Sequence, residues 1–183
     1  MGTIRNADLV CLVAEATGDA LDQVEATLGT LAARGLSLRT VPRNVLSFTE
    51  PSVRPGLIVA NKADLAATEA DTLAALRELY APGLEVVAVS ARTGEGLEAW
   101  FTRLWELLAM VRIFAKQPAK PPDLSKPFVL PAGSTVADLA RLIHRDLPET
   151  MKFARLWGHG RFEGQQVHRT ELLQDRDIVE IHE

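Results

Sequence analysis

Three short apolar runs, separated by amphipathic helical segments, constrain the fold of this chain more than any other feature. The runs are DLVCLVAEA (8–16), GLIVANK (56–62) and EVVAVSA (85–91). Continuous apolar runs of this length are typical of parallel strands that are covered on both faces. The helical spacing of the apolar residues predicts helices over 19–34, 68–80 and 95–111. The first part of the chain is therefore predicted to be an α/β unit with a doubly wound parallel sheet, and the three prolines of 40–56 indicate a surface loop.

The composition changes at the segment AKQPAKPPDLSKP (115–127), which holds four prolines and three lysines. Such a segment is typical of a stiff, extended connector. We therefore predict a first domain over 1–114, a linker over 115–126 and a second domain over 127–183. The second domain is predicted to contain strands at 128–130, 152–158, 165–168 and 177–183, and one helix capped at Ser134 or Thr135. That order favours an α+β arrangement, in which a small mixed sheet packs on one helix.

Charge and cysteine content narrow the function classes. The formal net charge of −4 is unlike the strongly basic balance of proteins that coat nucleic acid by charge alone. The single cysteine, Cys11, excludes an intramolecular disulfide and a CxxC site, and its apolar neighbours indicate a small core residue. The four histidines show no metal-ligand spacing. Because the sequence has neither an apolar stretch of about 18 residues nor the layout of a signal peptide, we expect a cytoplasmic protein without a membrane segment.

Asparagine, lysine and aspartate follow the second apolar run, in the sequence VANKADL (59–65). The carboxyl end of a parallel strand is where open α/β sheets bind ligands. The Asp64 carboxylate can accept hydrogen bonds from N1–H and the exocyclic amine of guanine, two donors that adenine does not offer together. We expect Asn61 to tie the loop to neighbouring backbone and the Lys62 stem to lie against the purine ring. The alternative interpretation is a polar turn in which Asp64 caps the next helix.

A second polar loop, VSARTGEG (89–96), follows the third apolar run. The backbone N–H groups of Ser90 and Ala91 are predicted to approach the guanine carbonyl, and Arg92 is predicted to place a cation near the base. Two matching loops at successive strand ends are more specific than either loop alone. Together they predict a guanine-binding site formed by Asn61, Lys62, Asp64, Ser90, Ala91 and Arg92.

The chain resembles the C-terminal part of the developmentally regulated GTP-binding proteins, a family within the Obg-related GTPases. The resemblance is carried in order by IRNADLVCLVAEA, GLSLRTVPRN, LIVANKADL and VVAVSARTGEGLEAWF. The last part, from GSTVADLARLIHRDLPETMKFARLWG to the end, resembles the TGS domain, a ubiquitin-like β-grasp module. The resemblance implies a partial P-loop-GTPase-like sheet followed by a β-grasp domain. It also implies binding of GTP or GDP and a role linked to the ribosome or to RNA; the family often has lysine at the position of Arg92.

Two motifs of a complete GTPase are missing from the sequence. A phosphate-binding loop GxxxxGK[ST] and a switch motif DxxG do not occur in it. We therefore expect GTP to bind weakly and not to be hydrolysed by this chain alone, with Mg²⁺ bound only if an N-terminal half is supplied. Without that half, an apolar sheet edge beside residues 8–14 is expected to be open, which invites self-association or a protein partner.

Basic and aromatic residues are interleaved in the second domain, which is a pattern suited to RNA. The basic candidates are Lys152, Arg155, Arg161 and Arg169. Strand alternation predicts that Phe153, Arg155 and Trp157 share one face, and we expect part of the aromatic set to belong to the core.

Three hypotheses remain open from the sequence. The first is a non-catalytic binding protein, in which a partial GTPase domain and a TGS module meet a ribosomal, RNA or protein partner. The second is an enzyme, in which the same region belongs to a longer GTPase that hydrolyses GTP when its N-terminal half is present. The third is a TGS module that binds a small ligand or a protein and uses the α/β unit only as a docking surface.

Overall fold

The structure is a computed structural model that describes residues 2–46, 50–68, 70–158 and 162–183. The chain divides into two compact units, Met1–Ala109 and Met110–Glu183, which are described separately below. This division lies earlier in the chain than the predicted end of the first domain at residue 114.

The first unit is built around one long central strand. Its elements are α1 (Gly2–Arg5), β1 (Val10–Glu15), α2 (Ala20–Ala32), β2 (Ser37–Arg39), β3 (Val53–Asn61), α3 (Ala70–Tyr80), β4 (Val86–Ala88) and α4 (Leu97–Leu108). Short 3-10 turns lie at Arg43–Val45 and Ala63–Thr68. β3 pairs in parallel with β1 along one side and with β2 and then β4 along the other. The predicted parallel sheet is therefore present, and its strand ends at Asn61 and Ala88 point to one edge.

Part of the predicted loop over 40–56 is strand. Val53 and Pro55 belong to β3, where they pair with Ser37 and Arg39 of β2. The prediction of a loop rested on the prolines, but Pro55 lies within β3 as the register partner of Arg39, and Val53 is buried.

Two apolar clusters cover the two faces of β3. Ile58 and Ala60 pack with α2 and α3, whereas Leu57 and Val59 pack with Leu107 of α4. This alternation confirms that β3 is buried on both faces. The same expectation is wrong for β1.

Val13 of β1 is 61% exposed although Leu12 and Ala14 on either side of it are buried. Among the described residues β1 pairs with β3 alone, so its outer edge is unpaired and the face that carries Val13 is incompletely covered. Cys11 on the same face is half-buried and packs against the cluster beneath α4, and burial raises the pKa of its thiol.

The second unit is a mixed sheet with one main helix. Its elements are β5 (Met110–Lys116), β6 (Phe128–Pro131), α5 (Val136–Ile143), α6 (Leu147–Thr150), β7 (Phe153–Trp157), β8 (Gln165–Val167) and β9 (Ile178–His182). The strand order is β6-β5-β9-β7-β8, with β5 and β9 parallel and all other pairs antiparallel. Thr135 is the predicted helix cap: its hydroxyl accepts a hydrogen bond from the Asp138 N–H at 3.3 Å, and the Asp138 carboxylate accepts one from the Thr135 N–H at 2.8 Å.

Strand β5 corrects two predictions. The helix predicted over 95–111 ends at Leu108, because Ala109 takes a left-handed φ of 51°. The next residues form a strand whose alternating Val111 and Ile113 enter the second core. The strand continues to Lys116, so the first two residues of the predicted linker 115–126 belong to the sheet and pair with β9.

Candidate functional site

The two polar loops predicted from the sequence meet at one edge of the first sheet. One follows β3 and the other follows β4, and these strands are parallel neighbours. A pocket of about 390 Å³ lies between the loops, lined by Asn61, Lys62, Asp64, Leu65, Ala91 and Arg92. The structure therefore brings together five of the six residues assigned to guanine, and Ser90 lies fully buried beside them. Leu65, which is 57% exposed, adds an apolar wall that the sequence analysis did not identify.

Asn61 joins the two loops. Its side-chain Oδ1 accepts a hydrogen bond from the Ala91 N–H at 3.1 Å, and its backbone carbonyl accepts one from Ala16 at 2.7 Å. A third bond runs from the Ala63 N–H to the Val89 carbonyl at 3.0 Å. Asn61 thus has the positioning contacts expected from the sequence.

The Asp64 carboxylate is held from both sides. Oδ1 accepts a hydrogen bond from the Ser90 hydroxyl at 2.5 Å, and Oδ2 accepts two from Arg92, from Nε at 2.9 Å and from a terminal nitrogen at 2.6 Å. The Ser90 hydroxyl and then Arg92 hold the pKa of Asp64 below its ordinary value. Both oxygens thus have partners in the second loop, and α3 begins only at Ala70.

Lys62 is fixed by a residue that the sequence analysis did not assign to the site. Its backbone takes a left-handed φ of 64°, and its Nζ donates to Glu15 Oε1 at 2.5 Å. Glu15 ends β1, whose carboxyl end lies at the same edge of the sheet as Asn61. In the sequence, this contact is indicated only by the acidic residue, Glu15, at the end of the first apolar run.

The second loop is shaped by a tight backbone turn. The Ser90 N–H donates to the Glu95 carbonyl at 2.9 Å, and the Gly94 N–H donates to the Ser90 carbonyl at 2.9 Å. Gly96 has a φ of 74°, and a Cβ placed on it would lie 2.3 Å from the Ala88 carbonyl oxygen. The backbone N–H groups of both Ser90 and Ala91, predicted to approach the guanine carbonyl, thus donate to acceptors within the protein in this structure.

The basic residues of the second unit are more dispersed. Arg155 is exposed on β7, opposite the buried Ala154 and Leu156. Lys152 is exposed just before that strand, and Arg169 is exposed near α5, where its carbonyl accepts a hydrogen bond from Ala137. The predicted residue Arg161 lies outside the described residues.

The aromatic residues of β7 do not enter the core. Phe153 and Trp157 lie on the face opposite Ala154 and Leu156, because α5 packs on the other side of the sheet. Phe153 stacks on His182 with ring centroids 4.5 Å apart, and Lys116 Nζ lies 4.6 Å from the centre of a Trp157 ring. The expectation that part of this set is core is therefore wrong for these two residues.

A buried ion pair joins the neighbouring strands β5 and β9 of this sheet. Lys116 Nζ pairs with the Glu180 carboxylate, which also accepts from His182 Nε2 at 2.6 Å. The Lys116 side chain is only 14% exposed, so its ammonium group is largely withdrawn from solvent although the residue lies within the predicted linker. The contacts of Lys116 and then His182 hold the pKa of Glu180 below its ordinary value.

Other site classes find no support in the described part of the chain. Among the described residues, no group of three or more His, Cys, Asp or Glu side chains is arranged to hold a metal ion. None of the helices that the structure describes is long and apolar enough to cross a membrane.

Comparison with known proteins agrees with the fold and identifies relatives of the chain. The TGS domain family matches residues 111–183. An uncharacterized GTP-binding protein of Methanocaldococcus jannaschii is 31% identical over 129 residues, which are 69% of this chain and 32% of the relative. The developmentally regulated G-protein 1 of Arabidopsis thaliana is 32% identical over 99 residues, 52% of this chain and 25% of the relative. The chain thus spans about a third or less of the length of these curated relatives.

Solved structures show the same fold. A GTP-binding protein from Pyrococcus horikoshii OT3 superposes with a TM-score of 0.67 at 18% identity, over 97% of this chain and 79% of that one. The YchF GTPase of Schizosaccharomyces pombe superposes with a TM-score of 0.54 at 11% identity, over 91% of this chain and 56% of that one. The chain therefore carries a TGS domain at residues 111–183 and is homologous to the developmentally regulated GTP-binding proteins and to uncharacterized GTP-binding proteins.

Proposed function

We propose that this chain reads the base of a guanine nucleotide, GTP or GDP, at the edge of its first sheet and does not hydrolyse GTP by itself. The observation that supports this most is the Asp64 carboxylate, which lines the pocket while Ser90 holds one of its oxygens at 2.5 Å. A carboxylate accepts hydrogen bonds only, so it pairs with the N1–H and amine edge of guanine and not with the corresponding edge of adenine.

The neighbouring residues support the same chemistry. Asn61 fixes the distance between the loops through Ala91, so that Asp64 and the second loop face one pocket. The aliphatic stem of Lys62 and the exposed side chain of Leu65 both line the pocket and offer apolar surface to a flat purine ring. These residues bind and orient the base.

Hydrolysis needs groups that the chain's sequence does not supply. Phosphate contacts from a glycine-rich loop, with the associated Mg²⁺, carry much of the affinity for nucleotides. They also stabilise the negative charge on the phosphoryl group that is transferred. The sequence contains no GxxxxGK[ST] motif. We therefore propose weak binding that depends on the base.

For the second unit we propose contact with RNA, in a ribosomal setting. The support is the face of β7 that carries exposed Arg155 between Phe153 and Trp157. Aromatic rings and arginine planes are surfaces on which unpaired bases stack. A cytoplasmic location remains a prediction.

The base-reading proposal is tested by calorimetric titration of the full chain with GDP, guanosine and ADP. We expect weak binding of the two guanine compounds, no heat with ADP, and loss of binding in Asp64→Ala. Arg77→Ala, which removes an exposed charge from α3 in the same unit, is the matched control and should bind like the unchanged chain. Equal binding of ADP, or full binding by Asp64→Ala, would overturn the proposal.

The remaining parts of the proposal need two further measurements. Phosphate release from GTP should not exceed that of buffer. A labelled single-stranded RNA should bind less tightly to Arg155→Glu than to the unchanged chain, and more tightly at low than at high salt. RNA binding that does not change in Arg155→Glu would contradict the proposal that this face of β7 binds RNA.

A further inference from the structure

Arg92 already pairs with the Asp64 carboxylate, the group that the proposed function assigns to guanine. Its Nε and one terminal nitrogen donate to Asp64 Oδ2 at 2.9 and 2.6 Å. The other oxygen, Oδ1, is engaged by Ser90 at 2.5 Å. Both oxygens of the carboxylate thus have partners within the protein.

The donor edge of Arg92 resembles the donor edge of guanine. A guanidinium group presents two neighbouring N–H donors separated by one carbon atom, and it binds carboxylates through that planar edge. Guanine presents N1–H and its exocyclic amine in the same arrangement, also separated by one carbon atom. Because the two groups offer equivalent donors, they compete for the same lone pairs of Asp64.

We propose that Arg92 is an internal competitor that occupies the Asp64 carboxylate until a guanine base displaces it. This inference rests on the proposed function, and it assigns Arg92 a role opposite to that of a residue that adds affinity for the base. A base that offers both donors restores the hydrogen bonds that Asp64 loses when the guanidinium of Arg92 leaves. Adenine does not offer these two donors together and cannot restore those hydrogen bonds.

The exposure of the two side chains explains how the site opens. The Arg92 side chain is 75% exposed, whereas that of Asp64 is 9% exposed. Arg92 can therefore turn into solvent and regain hydration, while Asp64 stays in position through Ser90. An ion pair with one partner this exposed is weak and is screened by salt.

The test is an NMR titration of the full chain with guanosine, which carries no phosphate and no charge. Affinity is followed through the backbone amides of Asn61 and Ala91, and the Nε–H resonance of Arg92 reports on its pairing. We expect Arg92→Ala to bind guanosine about 1.5- to fivefold more tightly than the unchanged chain, the range given by an exposed ion pair. Arg92→Lys, which keeps the charge but not the planar edge, should lie between the two. Arg77→Ala is the charge-matched control and should leave the affinity unchanged.

Salt gives a second readout. Because screening weakens the Arg92–Asp64 pair and guanosine is neutral, the unchanged chain should bind guanosine more tightly at high than at low salt. Arg92→Ala should lose this dependence. In the unchanged chain the Arg92 Nε–H resonance should move with the same midpoint as the pocket amides.

The outcomes separate the two ideas. Tighter binding by Arg92→Ala, together with loss of the salt effect, supports the competitor. Equal or weaker binding by Arg92→Ala overturns it while base reading stands. If neither the unchanged chain nor Arg92→Ala shifts on addition of guanosine, the proposed function fails and the competitor fails with it.

Discussion

At the scale of single residues, the site depends on how a buried serine presents a carboxylate. Ser90 is fully buried, and its hydroxyl both donates to Asp64 and accepts from the Thr93 N–H at 3.1 Å. One side chain therefore connects the Asp64 carboxylate to the backbone of the second loop. Asn61 performs the corresponding task for the first loop.

Replacing Ser90 with alanine should raise the pKa of Asp64 toward its ordinary value, because the Ser90 hydrogen bond is the largest cause of the lowered pKa. A lowered pKa in the folded state stabilises the fold above the unfolded pKa, and this contribution is lost as the pH falls through the folded pKa. In Ser90→Ala the loss should therefore begin at a higher pH. A carbon-detected NMR titration of the carboxyl groups measures this directly.

Asp123 is the internal reference for that experiment. Its pKa is also held low, by Ser125, which belongs to a different part of the chain. The Asp123 titration should be unchanged in Ser90→Ala. An Asp64 titration that does not move would contradict this role of Ser90 and leave Arg92 as the largest remaining cause of the lowered pKa.

At the scale of elements, the second loop is held against β4 by a glycine that no other residue can replace without rearrangement. A Cβ on Gly96 would lie 2.3 Å from the Ala88 carbonyl oxygen, whereas one on Gly94 would meet nothing within 4 Å. Both glycines have positive φ, at 74° and 85°. Alanine substitutions at these two glycines therefore separate the cost of backbone strain from the cost of steric contact.

Gly96→Ala should be more destabilising than Gly94→Ala and should also weaken guanosine binding. Gly94→Ala incurs only the left-handed strain, about 1 kcal/mol of unfolding free energy. Gly96→Ala adds a clash with backbone, which shifts the start of α4 and the loop that carries Arg92. Urea unfolding of both variants measures the difference. Equal losses of stability would show that the close approach to Ala88 is relieved without cost.

Elements also show which parts of this fold the sequence could predict. The strand at 56–62 was predictable because its continuous apolar residues are buried on both faces, and the two polar loops could be located from the strand ends that precede them. Strand β5 was not, because its apolar residues follow directly on those of α4 and it ends at a lysine just before a proline-rich segment. Nothing local marks Ala109 as the point where helix gives way to strand.

Side-chain partners were less predictable than backbone elements. That Lys62 pairs with Glu15, and Lys116 with Glu180, depends on strands that are far apart in sequence. The pairing of Arg92 with Asp64 follows from proximity of two predicted loops, but periodicity alone does not reveal that the Arg92 guanidinium turns onto the Asp64 carboxylate.

At the scale of the whole molecule, the response to acid follows from a set of carboxyl groups with lowered pKa. These are Asp64, Asp123, Asp138, Asp175 and Glu180. Each is paired or hydrogen-bonded in the folded chain and solvated in the unfolded chain. Each therefore stabilises the fold above its unfolded pKa and loses that contribution as the pH falls through its folded pKa.

Glu180 is the most informative of these groups because it is only 5% exposed and its partner Lys116 is also largely buried. Glu180→Gln removes one charge of a buried pair and leaves the ammonium group without compensation, which should lower the unfolding free energy by about 3 kcal/mol at neutral pH. Since the pKa of Glu180 lies below its ordinary value of 4.5, the unchanged chain should lose this advantage only as the pH falls below 4.5.

The stability curves of the unchanged chain and Glu180→Gln should therefore converge in acid. Urea unfolding at pH 7 and at successively lower pH measures the separation, and Glu149→Gln, an exposed position in α6, serves as the matched control that should follow the unchanged chain throughout. Convergence would place the Lys116–Glu180 pair among the groups that couple the second unit to pH. A separation that stays constant down to the acid transition would mean that packing of the Glu180 side chain, and not its charge, stabilises the sheet.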